Sequence, residues 1–153
     1  MIKVHTILDG TLYQRGHLLH KSLDEKAKLL ESLNIRTVVG LARAHDEDLA
    51  MLLGERYIWK RIPDGAVRDP EGMKSMARDV AAQQKADGGA VLCYCSAGRN
   101  RSGLMNALLL CELTGCSGAD AVDIVRSRRK NALANQHFVG FLGTINCEGG
   151  DLL

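Results

Sequence analysis

A cysteine and an arginine six positions apart stand out as residues that could do chemistry together. They bracket the segment Cys95-Ser-Ala-Gly-Arg-Asn-Arg101, and Ser102 follows it directly. A thiolate is a strong nucleophile, and a guanidinium presents a planar fork that matches two oxygens of a tetrahedral anion. The pattern therefore predicts a cysteine nucleophile lying beneath a bound anion such as a phosphate.

The elements on either side of this segment can form an anion site. Residues 90–94 are a short apolar run typical of a central strand, and residues 102–114 predict an apolar helix. A loop between them could wrap into a ring with its backbone N–H groups pointing inward, those of Ser96, Ala97, Gly98, Arg99, Asn100 and Arg101. Such a nest at a helix N-terminus binds anions, and its positive field favours the thiolate form of Cys95. Gly98 permits a backbone conformation that other residues resist.

Strands and helices alternate along the rest of the chain. Strands are predicted at 2–8, 11–14, 35–41, 56–62 and 90–94. Helices are predicted from the capping box Ser22-Leu-Asp-Glu25, at 46–53, from Asp69-Pro70-Glu71 to 87, and at 102–114, 117–128 and 135–147. This alternation indicates an α/β fold with a mostly parallel central sheet flanked by helices. The anion loop would then lie between the central strand and the following helix.

Length and composition narrow the class of protein. The 153 residues predict a single domain over 1–153, and a net charge of +2 is too mild to indicate a nucleic-acid partner. No run of about 18 apolar residues predicts a transmembrane segment. Five cysteines, an odd number without a secretory leader, favour a cytoplasmic protein with free thiols. Their spacing is not that of zinc ligands, so no metal is expected.

The chain resembles the cysteine-dependent protein tyrosine phosphatases, specifically the small dual-specificity subfamily. The resemblance covers nearly the whole chain: the loop at Cys95, the segments 9–16, 34–39 and 126–135, and then Phe138 and Leu142. It implies that Cys95 is the nucleophile, that Arg101 grips the phosphoryl group, and that Ser102 helps the thiolate leave in a second step. It implies no cofactor and no metal.

The resemblance also implies a general acid for the departing oxygen. The family places an aspartate on a mobile loop, and Asp64 in Ile62-Pro-Asp-Gly65 lies roughly thirty residues before Cys95. Pro-Asp-Gly is also an ordinary turn sequence. Asp69 is a rival candidate, but its position before Pro70 is explained by a helix cap. We therefore expect Asp64 to be the acid, and then the base that activates water.

Two residues of the loop region depart from or extend the family pattern. Tyr94 stands where the family usually has a histidine, and because it carries no positive charge we expect weaker support for the thiolate. Arg99 is a second cation in the loop, at a place where some family members that act on lipid phosphates carry a basic residue. A solvated arginine is the simpler interpretation of Arg99, and an exposed helix end is the simpler interpretation of residues 126–130.

The predicted function is hydrolysis of phosphomonoesters through a phosphocysteine intermediate. The resemblance implies a shallow pocket, because the chain is too short for the long phosphotyrosine-recognition segments found in the family. We therefore expect phosphotyrosine and phosphoserine/threonine of a phosphorylated protein, or a small phosphate, as substrates. A phosphatase of lipid phosphates, such as phosphoinositides, is the alternative on the same fold. A sulfurtransferase or arsenate reductase, or a silent phosphate-binding module, fits less well, since the chain keeps Cys95, Arg101, Asp64 and Ser102 together.

Overall fold

A five-stranded sheet forms the centre of the protein. The structure, a computed structural model, describes residues 2–146. Its strands are β1 (His5–Leu8), β2 (Leu12–Gly16), β3 (Ile35–Gly40), β4 (Tyr57–Trp59) and β5 (Ala90–Cys95). They are ordered β1-β2-β5-β3-β4, with β1 antiparallel to β2 and every other neighbouring pair parallel. The predicted α/β fold with a mostly parallel sheet is confirmed.

Helices cover both faces of the sheet. They are α1 (Leu23–Ser32), α2 (Glu47–Leu53), α3 (Pro70–Asp87), α4 (Arg101–Thr114), α5 (Gly118–Arg128) and α6 (Gln136–Leu142). On one face, buried residues of α3 to α6 pack against strand residues that include Val91 and Cys93. On the other face, α1 and α2 pack against a second set that includes Leu92 and Tyr94. The sheet therefore separates two apolar cores.

Strand β5 lies in the middle of the sheet and delivers the loop that follows it. All six of its residues are buried, as expected of a parallel strand covered on both faces. Successive side chains of a strand point to opposite faces. Tyr94 therefore points into the α1–α2 side, while Cys93 points to the side of α3 to α6. Cys95 points to the same side as Cys93, because its Sγ contacts Ser102 of α4.

The elements lie close to their predicted places, with differences at their ends. The predicted strand over 56–62 is regular only over Tyr57–Trp59, because Gly54–Arg56 form a 3-10 turn before it. Beyond it, the N–H groups of Lys60 and Ile62 donate to the carbonyls of Gly40 and Leu41 without continuing the ladder. Helix α6 ends at Leu142, and the predicted end at Cys147 lies outside the described residues.

Candidate active site

The candidate nucleophile lies at the carboxyl end of β5, one loop before α4. Cys95 is 2% exposed, and its Sγ lies 3.2 Å from the hydroxyl oxygen of Ser102 in the first turn of α4. We call residues 95–101, the loop predicted to bind phosphate, the phosphate loop. Within it Ser96, Ala97 and Arg99 are exposed, while Gly98 is buried. The loop therefore has an open outer edge and a base at the thiol.

Two glycines let the phosphate loop rest against β2. Gly98 has a positive φ of 70°, and a Cβ there would lie 2.5 Å from the backbone nitrogen of Gly16. A Cβ on Gly16 would in turn lie 2.8 Å from the carbonyl oxygen of Ser96. Because both positions are too close for any side chain, the predicted need for glycine at position 98 is confirmed.

Side chains from outside the loop hold its carbonyl groups. Gln14 Nε2 donates to the Gly98 carbonyl at 3.0 Å. Arg129 donates to the same carbonyl from Nε and to the Ala97 carbonyl from Nη2, each at 3.3 Å. With these carbonyls turned outward, the N–H groups of the loop are free to face its interior.

Gln14 is itself held by a buried amide. Asn106 Nδ2 donates to Gln14 Oε1 and to the Tyr13 carbonyl, each at 3.1 Å, and Gln14 and Asn106 are both fully buried. Sequence reasoning missed Gln14, Asn106 and Arg129. The one available signal was Asn106 in the apolar run over 104–110, since a buried polar side chain needs a partner. Residues 126–130 were expected as an exposed helix end, whereas Arg129 turns back onto the loop.

Helix α4 begins without a side-chain cap. Within residues 2–146, the other five α-helices begin with a capping side chain, from Ser22, Asp46, Asp69, Ser117 and Asn135. At the start of α4, Asn100 makes no such bond. The first N–H groups of a helix need partners, and an anion in the phosphate loop would supply them.

The two arginines of the loop differ in their contacts. Arg101 Nη2 donates to the hydroxyl of Ser96 at 3.0 Å, and its Nη1 donates to the Ile62 carbonyl at 3.3 Å. Arg101 thus joins the phosphate loop to the segment after β4. The exposed guanidinium of Arg99 has no hydrogen-bond or ion-pair partner within the described part of the chain. It is the cation that remains available at the edge of the loop.

Asp64 lies at the rim of the phosphate loop, held by two asparagines. Its Oδ2 accepts from Asn100 Nδ2 at 3.0 Å, and its Oδ1 accepts from Asn135 Nδ2 at 2.8 Å. The backbone N–H of Asn135 donates to Asn100 Oδ1 at 3.1 Å, which closes the triangle. Asn135 also caps α6 through its Oδ1. Sequence reasoning identified Asn135 only as a helix start.

Asp69, the rival acid, is occupied elsewhere. Its carboxylate accepts from the N–H of Gly72 at 3.0 Å and pairs with Lys60 at 3.4 Å. The Gly72 hydrogen bond and, after it, Lys60 hold the pKa of Asp69 below its usual value. Asp69 is therefore the N-cap of α3, as its place before Pro70 predicted. We call residues 60–69, which connect β4 to α3 and contain the predicted acid Asp64, the acid loop.

Tyr94 does not substitute for a histidine beside the thiol. Its hydroxyl lies 2.5 Å from that of Tyr57, on the face of the sheet opposite Cys95. The two rings are stacked, with centroids 6.5 Å apart, and Gly40 leaves room for the Tyr94 ring. Burial raises the pKa of Tyr94 well above its ordinary value, so it stays neutral. Tyr94 therefore holds β5 in the core on the α1–α2 side and contributes no positive charge beside the Cys95 thiol.

Two other cysteines are buried in the core. Burial raises the pKa of Cys93, and it raises that of Cys111 to about 12. Neither thiol ionises near neutral pH. Within residues 2–146, no group of three histidine, cysteine or acidic side chains is placed to hold a metal ion. None of the helices described there is long and apolar enough to cross a membrane.

Comparisons with known proteins identify the family. The model of the dual specificity phosphatase catalytic domain matches residues 18–146. A comparison with curated proteins finds no significant match. Similar solved structures include Tk-PTP in the active form (24% identity, 91% of this chain and 92% of that chain, TM-score 0.75). Human DUSP28 is also similar (22% identity, 98% and 95% covered, TM-score 0.68).

A third similar structure contains an oxyanion. It is a mouse protein described as a dual specificity phosphatase, complexed with zinc tungstate (21% identity, 91% of this chain and 83% of that chain, TM-score 0.74). At these identities the structures establish the common fold, and the family model establishes membership. The chain belongs to the dual specificity phosphatase catalytic domain family and is a cysteine-dependent phosphatase.

Proposed function

We propose that the protein is a phosphomonoester hydrolase that acts on phosphotyrosine and phosphoserine/threonine. The reaction would pass through a phosphocysteine intermediate on Cys95. One observation carries this proposal: Cys95 lies at the base of a loop that leads into α4, the helix without a side-chain cap. A phosphoryl group there would accept hydrogen bonds from the loop amides and from Arg101. The tungstate in the mouse relative is a tetrahedral oxyanion like phosphate, which supports such a site.

The first step transfers the phosphoryl group to sulfur. The Cys95 thiolate attacks phosphorus, the S–P bond forms, and the bond from phosphorus to the ester oxygen breaks. Asp64 donates a proton to that oxygen, so that the product leaves as an alcohol. Asn100 and Asn135 each hold one oxygen of the Asp64 carboxyl group, which orients it toward the loop.

The second step returns the enzyme to its starting state. Asp64, now a carboxylate, takes a proton from water, and the water oxygen attacks phosphorus. The S–P bond breaks, and inorganic phosphate and the Cys95 thiolate result. The Ser102 hydroxyl, 3.2 Å from Sγ, donates a hydrogen bond to the sulfur as negative charge returns to it.

A lipid phosphate is the second candidate substrate, and Arg99 is the observation that favours it. Its guanidinium is exposed beside the loop and unpartnered within the described residues, so it could bind a further phosphate of a substrate. A panel of phosphopeptides and phosphoinositides, assayed with the protein and with Arg99→Gln, distinguishes the two. Loss of phosphoinositide hydrolysis alone would favour the lipid substrate, and an unchanged panel would favour phosphopeptides.

The remaining candidate functions leave one or more of the residues Cys95, Asp64 and Ser102 without a role. A sulfurtransferase or arsenate reductase needs no proton donor such as Asp64 and no hydroxyl such as that of Ser102. A silent phosphate-binding module needs no nucleophile, whereas Cys95 remains. We also propose a cytoplasmic protein, which fits the four free thiols among the described residues, those of Cys93, Cys95, Cys111 and Cys116.

Hydrolysis of two aryl phosphates tests the proposed roles. Cys95→Ser should abolish hydrolysis of p-nitrophenyl phosphate, while Cys116→Ser, a half-buried cysteine away from the loop, should keep it. Asp64→Asn should lower kcat on phenyl phosphate by about 10²–10³-fold, because its leaving group needs the proton. Activity that survives in Cys95→Ser would refute the nucleophile, and an unchanged kcat in Asp64→Asn would place the acid elsewhere.

A further inference from the structure

A cavity of about 190 Å³ lies behind the acid loop, and the proposed reaction does not use it. Met73, Leu104 and Phe138, all nearly fully buried, line its inner side. The acid loop contributes Ile62 and Val67, which pack against the same core. No residue of the phosphate loop lines the cavity. The acid loop therefore borders this cavity and also contacts the phosphate loop, through the Ile62 carbonyl and Arg101.

The opening of this cavity carries positive charge. Lys60, Arg61 and Arg68 line it, with Asp69 as the one carboxylate among its lining residues. Asp69 is already paired with Lys60 and caps α3. Arg61 and Arg68 are exposed, and their guanidinium groups have no hydrogen-bond or ion-pair partner within residues 2–146. Two cations thus remain uncompensated beside an apolar interior.

We propose that this cavity binds a small amphipathic anion, with a ring-sized apolar body and one carboxylate. The apolar body would replace empty space against Met73, Leu104 and Phe138, and the carboxylate would pair with Arg61 and Arg68. The volume fits such a ligand, since an apolar protein cavity of about 150 Å³ takes up benzene. This site does not depend on the phosphatase reaction and stands apart from the phosphate loop.

Occupancy of the cavity would act on the acid loop. Ile62 offers its side chain to the cavity and its carbonyl to Arg101, and Asp64 follows two residues later. Phe138 lies on α6, one turn after Asn135, which holds the Asp64 carboxyl group. A ligand that packs against the acid loop therefore stabilises the arrangement in which Asp64 contacts Asn100 and Asn135. Local opening of residues 62–69 becomes rarer in the complex.

Calorimetric titration of the full chain with 3-phenylpropanoate tests the site. The probe should bind equally with and without saturating inorganic phosphate, because phosphate occupies the other side of the acid loop. Amide hydrogen exchange of residues 62–69 should slow on binding, while that of α5 stays unchanged. Displacement of the probe by phosphate would mean that its carboxylate lies in the phosphate loop, and this result would overturn the proposal.

Variants of the charged and of the apolar lining residues test separately how charge and cavity volume contribute to binding. Arg61→Gln combined with Arg68→Gln should weaken 3-phenylpropanoate binding roughly tenfold and leave binding of neutral 3-phenylpropan-1-ol unchanged. Arg78→Gln, an exposed change on α3 outside the cavity lining, should change neither. The single variants Ala66→Leu and Val67→Phe enlarge a lining side chain, so each should abolish binding of the acid and of the alcohol. Equal affinity for acid and alcohol, or full binding in folded Ala66→Leu and Val67→Phe, would contradict the proposal.

Discussion

The proposed acid, Asp64, is held at each of its two oxygens by an amide, from Asn100 and from Asn135. A proton donor works only when its carboxyl group is within reach of the leaving oxygen and correctly turned. The two amides come from segments far apart in the chain. A local pattern such as Pro-Asp-Gly could therefore suggest a candidate acid but not the residues that orient it. We therefore propose that Asn135 positions the acid, and its effect can be separated from that of the proton donor.

Replacement of Asn135 tests this positioning. Asn135→Ser keeps a side chain that caps α6, but serine is too short to reach Asp64. We expect kcat on phenyl phosphate to fall roughly tenfold, because the carboxyl group loses one of its two holders. With p-nitrophenyl phosphate, whose leaving group hardly needs a proton, kcat should change little. An equal loss on both substrates would indicate a general structural defect instead of misplacement of the acid.

Reaction with iodoacetate distinguishes the cysteines. Burial raises the pKa of Cys93 and of Cys111, the latter to about 12, so their reactive thiolate fractions stay small from pH 7 to 9. We expect modification of Cys95, which inorganic phosphate should prevent, and of the half-buried Cys116, which it should not. Peptide mass spectrometry measures each site. Rapid modification of Cys93 or Cys111 in the folded protein would contradict the burial described here.

At the level of secondary structure, β2 and the residue after α5 hold the phosphate loop in addition to the strand and helix that flank it. The strand supplies Gly16 and Gln14, and the chain after α5 supplies Arg129. Sequence patterns found β5, α4 and the loop between them, because those features are contiguous. They did not find Gln14 or Arg129, whose partners lie 84 and 31 positions away.

Substitution of Gly98 tests how the loop rests on β2. Gly98→Ala meets both a positive φ and the backbone of Arg15 and Gly16, so the loop must move. Gly10→Ala is the matched control, because Gly10 has a similar φ of 68° but nothing within 4 Å of its Cβ position. Gly10→Ala should lose about 1 kcal/mol of unfolding free energy from the positive φ, and Gly98→Ala should lose more because its Cβ also meets backbone atoms. Only Gly98→Ala should also weaken vanadate inhibition, and equal inhibition of the two variants would contradict the account.

In the molecule as a whole, the sheet separates the candidate active site from a buried cluster of charged side chains that stabilises the fold. The site lies at the carboxyl ends of the parallel strands, where the loops after β4 and β5 meet. The α1–α2 side instead contains a buried ion pair, in which Lys26 contacts Asp46 at 3.1 Å and Asp48 at 2.9 Å. Alternation of strands and helices predicted the sheet and its layers. Lys26 could not be recognised, since its helix pattern alone suggests an exposed lysine.

Removal of the Lys26 ammonium tests whether the α1–α2 side contributes to stability without affecting the active site. Burial by itself lowers the pKa of Lys26, but hydrogen bonds to Asp48 and Asp46 outweigh it and the pKa is raised. This contribution to stability is therefore complete below the pKa of an unfolded lysine and is lost as pH rises through the folded value. Lys26→Met should lower the unfolding free energy at pH 7 by about 3–5 kcal/mol, because Asp46 stays buried without its partner.

The control for Lys26 is an exposed pair on the same helix. Lys28 contacts Asp24 at 3.0 Å with both side chains mostly exposed, so Lys28→Met should cost less than about 1 kcal/mol. Urea unfolding measures both variants, and KM for p-nitrophenyl phosphate should stay unchanged in each. A changed KM in folded Lys26→Met would show that the α1–α2 side does influence the site.

Mass spectrometry of acid-quenched enzyme can detect the proposed covalent phosphocysteine on Cys95. The protein is mixed with p-nitrophenyl phosphate, quenched within one turnover and digested. The peptide containing Cys95 should gain the mass of one phosphoryl group, and Cys95→Ser should show no such gain at this position. Product release without any phosphorylated Cys95 peptide, or phosphorylation of another residue instead, would contradict the proposed intermediate.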